Sequence, residues 1–415
     1  MKTIVLDDDP TGTQSASNVR VLLVSDATLL AEALRDADSV YVQTNTRAID
    51  EASAVELVRQ VRDDALAAGR ELGEDIQFVL RGDSTLRGHV FAETEQFLDD
   101  DALMIFVPAF PDGGRTTRGG VHYVATDGVD VPAHETEYAD DPVFPFANGA
   151  LAAYVSEKSS RAPLPITLDV VRGDPGTLAA VLRTAPARAV AVPDAVTNDD
   201  IRLIADAIRT ARADGRSIVV RSAAPLAAML AGVESSGLLE RPLVDGRPTV
   251  LLACGSHTGG ASAQLERVTS TWGESVVLDT SVALDDPEAA GHDAASRASG
   301  LDGPVLVVTT SRERSAEHNT LDHGERVMRA LTTAVRDLLP SVDVVVAKGG
   351  ITSAEVARVG VGATSAVVVG QVLPGVSVWR MTAVDGREIL YVVVPGNVGG
   401  PDTLVEVLAA LGHAA

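Results

Sequence analysis

The feature that most constrains this chain is a repeated pairing. A short run of β-branched residues ends abruptly in a polar or glycine-rich turn, and a longer segment of helical period follows. TIVL runs into DDDPTGTQ, SVYVQ into TNTR, QFVL into RGDSTLRG, TVLLA into CGSHTGG, DVVVA into KGGITS and LYVVV into PGNVGG. Apolar runs joined through helices read as parallel strands covered on both faces, and ligands of such sheets bind beyond the carboxyl ends of the strands. The expected fold is α/β: two α/β domains, each a largely parallel or mixed sheet flanked by helices, with a ligand cleft between them.

With 415 residues the chain exceeds one ordinary core. Strands are expected in the first half over residues 3–7, 19–24, 39–44, 77–81, 103–108, 166–171, 189–193 and 217–221, with helices such as 53–68 and 199–213 between them. The irregular stretch SSGLLERPLVDGRP then precedes a strand at residues 250–254, so domains are expected over 1–235 and 249–415. Near the end, strands at 365–369, 376–381 and 388–394 follow one another without helices, which suggests an antiparallel or mixed part of the second sheet. Residues 108–145 are rich in Gly, Pro and Thr and far longer than an ordinary connection, and read as part of a site or lid.

A net charge of −24 opposes nucleic acid or an anionic membrane surface as partner. No run approaches the length of about 18 apolar residues needed to span a bilayer. Cys254 is the only cysteine, which excludes an internal disulfide and suits a reducing, cytoplasmic setting. A homo-oligomer is compatible with the sequence, which does not fix the oligomeric state. Because Lys2, Lys158 and Lys348 are the only lysines, a bound anion must be held by arginines, backbone N–H groups and a metal ion.

The motifs distribute that work. DDDPTGTQ places Asp7, Asp8 and Asp9 at a strand end, either over a ligand crevice or as caps of a turn. Asp7, Asp9 and Thr11 also resemble the opening motif of haloacid-dehalogenase-type phosphatases, but neither Lys158 nor Lys348 stands in the context that such an enzyme needs. NTR and RGDSTLRG bring Arg47, Arg81, Asp83 and Ser84 to strand ends, the chemistry that holds a carboxylate and sugar hydroxyls. In the second half, Gly349 and Gly350 let a backbone approach an anion. Thr352 and Glu355 read as a capping box, and Lys348 as a phosphate contact or a strand-end lysine. Ser256 in CGSHTGG and the glycines around Gly396 repeat the pattern, and GxxxxGK[ST] occurs nowhere.

Taken in order, DDDPTGTQ, NTR, DSTLRG, PAFPDGGRTT, ETEYADDPVFP, Gly255–Ser256, GGITS, GQVLPGV and PGNVGGPDTL resemble the four-carbon acid sugar kinase family across nearly the whole chain. The resemblance implies a sugar-acid-binding N-terminal domain and a nucleotide-binding C-terminal domain. It implies phosphorylation of threonate, erythronate or an oxo-tetronate by ATP with Mg2+. Carried over, Ser256, Gly349, Gly350, Ile351, Thr352 and Gly396 would contact ATP. Asp9, Arg47, Arg81, Asp83 and Ser84 would face the acid, with Asp9 or Asp83 as the catalytic carboxylate. Pro10, Gln14, Arg81, Gly82 and Gln371 depart from the frequent family pattern, so ATP use transfers better than the identity of the acid. The alternatives are a sugar-phosphate phosphatase using Asp7 and Asp9, or a non-catalytic sugar-acid sensor.

Overall fold

A computed structural model describes residues 1–126, 128–235, 237–311, 321–396 and 398–413. In chain order the strands are β1 (Lys2–Asp7), β2 (Val19–Leu22), β3 (Ser39–Gln43), β4 (Ile76–Arg81), β5 (Leu103–Val107), β6 (Arg115–Arg118), β7 (Val121–Thr126), β8 (Val129–Pro132) and β9 (Ala162–Ile166). There follow β10 (Ala189–Pro193), β11 (Ile218–Ser222), β12 (Val250–Cys254), β13 (Val276–Val277), β14 (Val305–Thr309), β15 (Val344–Lys348), β16 (Ser365–Leu373), β17 (Val376–Thr382) and β18 (Glu388–Val394). They belong to two units, one of Met1–Asp8 and Ser25–Glu234, the other of Asp9–Val24 and Ser235–Ala415.

The first unit is built on strands in the order β3–β1–β4–β11–β5–β10–β9, all parallel. Asp7 is in register with Gln43 and Arg81, and Arg81 with Ser222, so four strands end along one line. The helix Glu51–Leu72 shows how local sequence sets this layer. The Asp50 side chain accepts from the Ser53 amide (3.0 Å), Gly73 closes the helix at φ +66°, and Ala54, Val58, Val61, Ala65 and Ala68 form the buried stripe.

The second unit runs β13–β14–β12–β15–β18–β17–β16–β2, parallel from β13 to β18 and antiparallel from β18 to β2. The three closing strands therefore supply the antiparallel part that their sequence suggested. Cys254, Lys348 and Val394 share one register, again aligning strand carboxyl ends. Val250, Leu252, Val346 and Val392 pack in one core with Leu404, Val407 and Leu408 of the helix Thr403–Ala410.

Three features add to or differ from these expectations. The units also part near residue 235, as expected, but Asp9–Val24 group with the C-terminal half. There β2 pairs antiparallel with β16, the Trp379 indole donates to the Thr13 hydroxyl (2.9 Å), and Thr13 hydrogen-bonds Ser377 (3.0 Å). Residues 166–171 are not a strand. The strand β9 ends at Ile166 and a helix, Leu168–Val171, follows. Pro163 and Pro165 suit β9 to its place at the sheet edge, since neither has an N–H to donate. Finally, residues 108–145 contain an ordered antiparallel sheet, β6–β7–β8. Its first turn uses Gly119 and Gly120 at φ +58° and +77°, the two positive angles that a two-residue hairpin favours, and their amides donate to Asp194 (2.9 Å each).

Candidate active site

Where β1, β3, β4 and β11 end, opposite charges are packed together out of water. The Asp8 carboxylate sits among three guanidiniums. Its Oδ2 accepts from Arg221 Nη2 (3.1 Å), and its Oδ1 accepts from Arg81 Nη1 (3.3 Å) and lies 3.6 Å from Arg47 Nε. Arg81 donates to Asp7 as well (3.2 Å), and Arg221 Nη1 donates to Glu93. Arg47 Nη1 lies 3.6 Å from Asp83, which also accepts from the Thr85 hydroxyl and from Arg87 Nε (2.8 Å). Arg87 extends the chain of charges to Asp141 (3.5 Å) and lies over the Tyr138 ring, 5.0 Å from its centroid. Buried ions are tolerable only when paired and hydrogen-bonded in this way, and removing one partner strands the other.

The loop carrying Asp83 and Ser84 is held from several sides. Leu86 adopts φ +69°, uncommon for a side chain that is not glycine, and the Tyr154 hydroxyl donates to its carbonyl (2.7 Å). His122, from β7, reaches the Ser84 carbonyl through Nε2 (2.8 Å). A carbonyl only accepts, so Nε2 carries the proton and Nδ1 accepts from the Thr117 hydroxyl (3.0 Å). Burial pushes the His122 pKa down to about 4, which keeps the ring neutral.

Burial acts differently on the two acids. It raises Asp7 to about 7, against the pull of Arg81. For Asp83, Arg87, Arg47 and the hydrogen bonds from Thr85 and Arg87 outweigh burial and hold the carboxyl well below the usual carboxylate range. Burial also lowers the pKa of Arg47, more than Asp8 and Asp83 raise it.

In the second unit, the ends of β12, β15 and β18 are made largely of backbone. The Gly349 amide donates to the Val394 carbonyl (2.9 Å) and the Gly255 amide to the Lys348 carbonyl (3.3 Å). A Cβ on Gly396 would lie 2.8 Å from the Ser256 hydroxyl. One on Gly349 would lie 3.0 Å from the Thr352 hydroxyl and 3.2 Å from the Ser256 Cβ. Gly349 also stands at φ +116°. Thr258 donates to the Gly396 carbonyl (2.9 Å), and Gln264 donates to the carbonyls of Val398 (3.2 Å) and Gly400 (3.0 Å). Asn397 of this turn lies outside the described residues.

Lys348 is fully buried, donates to the Pro395 carbonyl (2.6 Å), and burial pushes its pKa down to about 8. It ties two of the glycine turns together rather than reaching water from a strand end. The expected capping box is absent: the helix starts at Gly350, Gly349 is its N-cap without a side-chain bond, and Ser353 donates back to the Gly349 carbonyl (2.7 Å).

A family profile described as "Sugar-binding N-terminal domain" matches residues 3–230, and one described as "Nucleotide-binding C-terminal domain" matches residues 251–404. The chain belongs to the four-carbon acid sugar kinase family.

Relatives of this member of the family include a D-threonate kinase of Bordetella bronchiseptica, 34% identical over 211 residues (49% of this chain, 47% of the relative). A D-erythronate kinase of Heliobacterium modesticaldum is 30% identical over 256 residues (60% and 54%). A 3-oxo-tetronate kinase of Cupriavidus necator is 28% identical over 402 residues (91% and 88%). The chain thus spans about half the length of the first two curated relatives and most of the third. Among solved structures, Haemophilus influenzae protein HI1011 shares the fold at TM-score 0.63 and 19% identity, with 98% of this chain and 100% of that one covered. A Salmonella typhimurium LT2 protein does so at 0.71 and 16%, covering 98% of each. No described helix is long and apolar enough to cross a membrane.

Of the site residues foreseen for this four-carbon acid sugar kinase family member, Arg47, Arg81, Asp83 and Ser84 lie together at the strand ends of the first unit. Arg81, however, is 1% exposed and donates to Asp7 and Asp8. Asp9 belongs to the second unit, where it accepts from the Thr11 amide (2.8 Å) and hydroxyl as cap of the turn Pro10–Ser15. Ser256, Gly349, Thr352 and Gly396 converge, Gly350 starts the helix behind them, and Ile351 is partly exposed. Asp7, the nucleophile of the phosphatase alternative, is fully buried against Arg81. Sequence reasoning did not single out Arg221, Glu93 or His122. For Arg221 the signal was present, since it closes an apolar strand as Arg81 does.

Proposed function

We propose that the protein transfers the γ-phosphoryl group of ATP to a hydroxyl of a four-carbon sugar acid such as threonate, erythronate or an oxo-tetronate. The observation that carries this reading is the grouping of the partly buried Arg47 with the buried Asp83 and Ser84 within the span matched by the sugar-binding profile: a guanidinium for a carboxylate, and polar groups for hydroxyls. Arg47 holds the acid's carboxylate, whose charge offsets the burial that disfavours the guanidinium. Ser84 and Asp83 take hydroxyls. Kept ionised at a depressed pKa, Asp83 is a weak base. It suits a loose transition state that asks for aim more than for deprotonation. Asp9 is the second carboxylate proposed for this task.

On the nucleotide side, the backbone of Gly349, Gly350 and Ile351 and the hydroxyls of Ser256 and Thr352 receive the phosphates, with Gly396 leaving them room. Asp8 is already paired with the guanidiniums of Arg81, Arg47 and Arg221, and one oxygen of Asp7 with Arg81, which offsets much of the charge that a divalent cation would seek there. Mg2+ is proposed to enter with ATP and to neutralise phosphate charge. No residue of this chain is assigned to it.

The test is ATP consumption with Mg2+ across a panel of C4 and C5 sugar acids and their 2- and 3-oxo forms. Turnover dependent on a C4 acid is expected. Absence of turnover on every acid would sink the reading, and acid-induced thermal stabilisation without turnover would instead favour a sensor.

A further inference from the structure

Arg221 lies at the end of β11, far in sequence from the loops that first pointed to the acid site. It is 1% exposed, and it holds Asp8, a carboxylate against which both Arg47 and Arg81 rest. Its other amino group is anchored by Glu93 from the helix Val90–Thr94. Asp8 is therefore held at Oδ2 by Arg221, while its Oδ1 is shared between Arg81 (3.3 Å) and Arg47 (3.6 Å).

The loop between them is bare where the guanidinium passes. A Cβ on Gly82 would lie 2.6 Å from both Nε and Nη2 of Arg221. One on Gly88 would lie 3.2 Å from Asp8 Oδ2 and 3.6 Å from Arg221 Nη2 and Arg47 Cγ. Gly82 is not required by its own backbone, since its φ lies outside the left-handed region, and its amide is spent on the Ser222 carbonyl (2.8 Å). The absence of a side chain at residue 82 is thus explained by Arg221.

We infer that Arg221, anchored by Glu93, is a positioning residue of the acid site, fixing Asp8 and through it the guanidinium of Arg47, with Gly82 as the space that admits it. This rests on the kinase reading and on Arg47 as the group that meets the acid's carboxylate. Gly82→Ala presses a methyl on the guanidinium while leaving every charge of the network in place.

In the full-length enzyme this variant is expected to raise KM for the preferred acid about tenfold or more and to leave KM for ATP within about twofold, the scale of one misplaced charge-assisted hydrogen bond. Combined with Arg47→Lys, its effect is expected to fall clearly short of the product of the two separate fold-changes, because both act on one guanidinium. If Gly82→Ala does not accumulate, Glu93→Gln loosens the same anchor and is expected to show the same split between the two KM values. An unchanged acid KM, an equal rise in both, or a fully multiplicative double variant overturns the inference while wild-type turnover keeps the kinase reading. Absence of wild-type turnover on every acid removes the reading itself.

Discussion

In the first unit the groups proposed to meet an anion are side chains, with Arg47, Arg81, Arg87 and Arg221 interlocked with Asp7, Asp8, Asp83 and Glu93. In the second they are main chain, with glycines at residues 255, 349 and 396 drawn around the hydroxyls of Ser256 and Thr352. On the proposed reading both answer one problem, holding an anion in a chain of net charge −24. A side-chain network can be re-aimed by one substitution, and it suits the partner whose identity varies between relatives. A backbone cradle is indifferent to most side chains and suits the partner that stays the same.

The largest expected effect comes from the acid side. Asp83→Asn should lower turnover by about a hundredfold or more with little change in KM for ATP. Steady-state kinetics decides it, and unaltered turnover removes Asp83 from the mechanism. Gly349→Ala probes the other side. A side chain at φ +116° and 3.0 Å from the Thr352 hydroxyl is strained twice over. KM for ATP should rise about tenfold or more while acid-induced thermal stabilisation persists. Loss of acid binding in this variant would break the division between the two sites.

Smaller is Arg47→Lys, which keeps the charge but loses the planar fork. KM for the acid should rise about tenfold and KM for ATP should not follow. The smallest effect concerns pH. His122 has a folded pKa of about 4, below its unfolded value, so the folded state binds fewer protons and this group makes stability rise with pH from about 4 to about 6.5. Asp7, raised to about 7, binds more protons when folded and makes stability fall as pH rises from about 4 to about 7. The two slopes oppose one another. In His122→Gln the Asp7 slope should stand alone, so the melting temperature relative to wild type should fall with rising pH across that window. A pH-independent difference between the two proteins would show that His122 is not buried as a neutral ring.

The sequence was most legible where backbone does the work. Glycines that clear space for a ligand leave a visible mark at strand ends, and Ser256, Gly349, Thr352 and Gly396 do converge. The α/β class and the mixed closing strands followed from β-branched runs and their spacing. Less legible was anything settled by partners distant in the chain. Arg221 meets Asp8 across 213 positions and Glu93 across 128, and no local pattern announces either pairing. Three consecutive aspartates look equivalent in sequence. Yet Asp7 is pushed up by burial, Asp8 is ringed by arginines, and Asp9 caps a turn in the other unit. The glycine- and proline-rich segment after β5 hid a sheet, because its turn residues masked short strands that contribute His122.

The segment Asp9–Val24 has a bearing on inheritance. It precedes nearly all of the first unit in sequence, yet its strand joins the C-terminal sheet by pairing with β16. A recombination that joins the first 235 residues of one relative to the remainder of another would bring two unrelated halves of that antiparallel pair together. A C-terminal fragment made alone would present β16 with an open edge, ready to accept a strand from another molecule. Exchange of acid preference between members of this family is therefore expected to work best as a transplant of Met1–Asp8 together with Ser25–Glu234, leaving Asp9–Val24 with its nucleotide-binding partner.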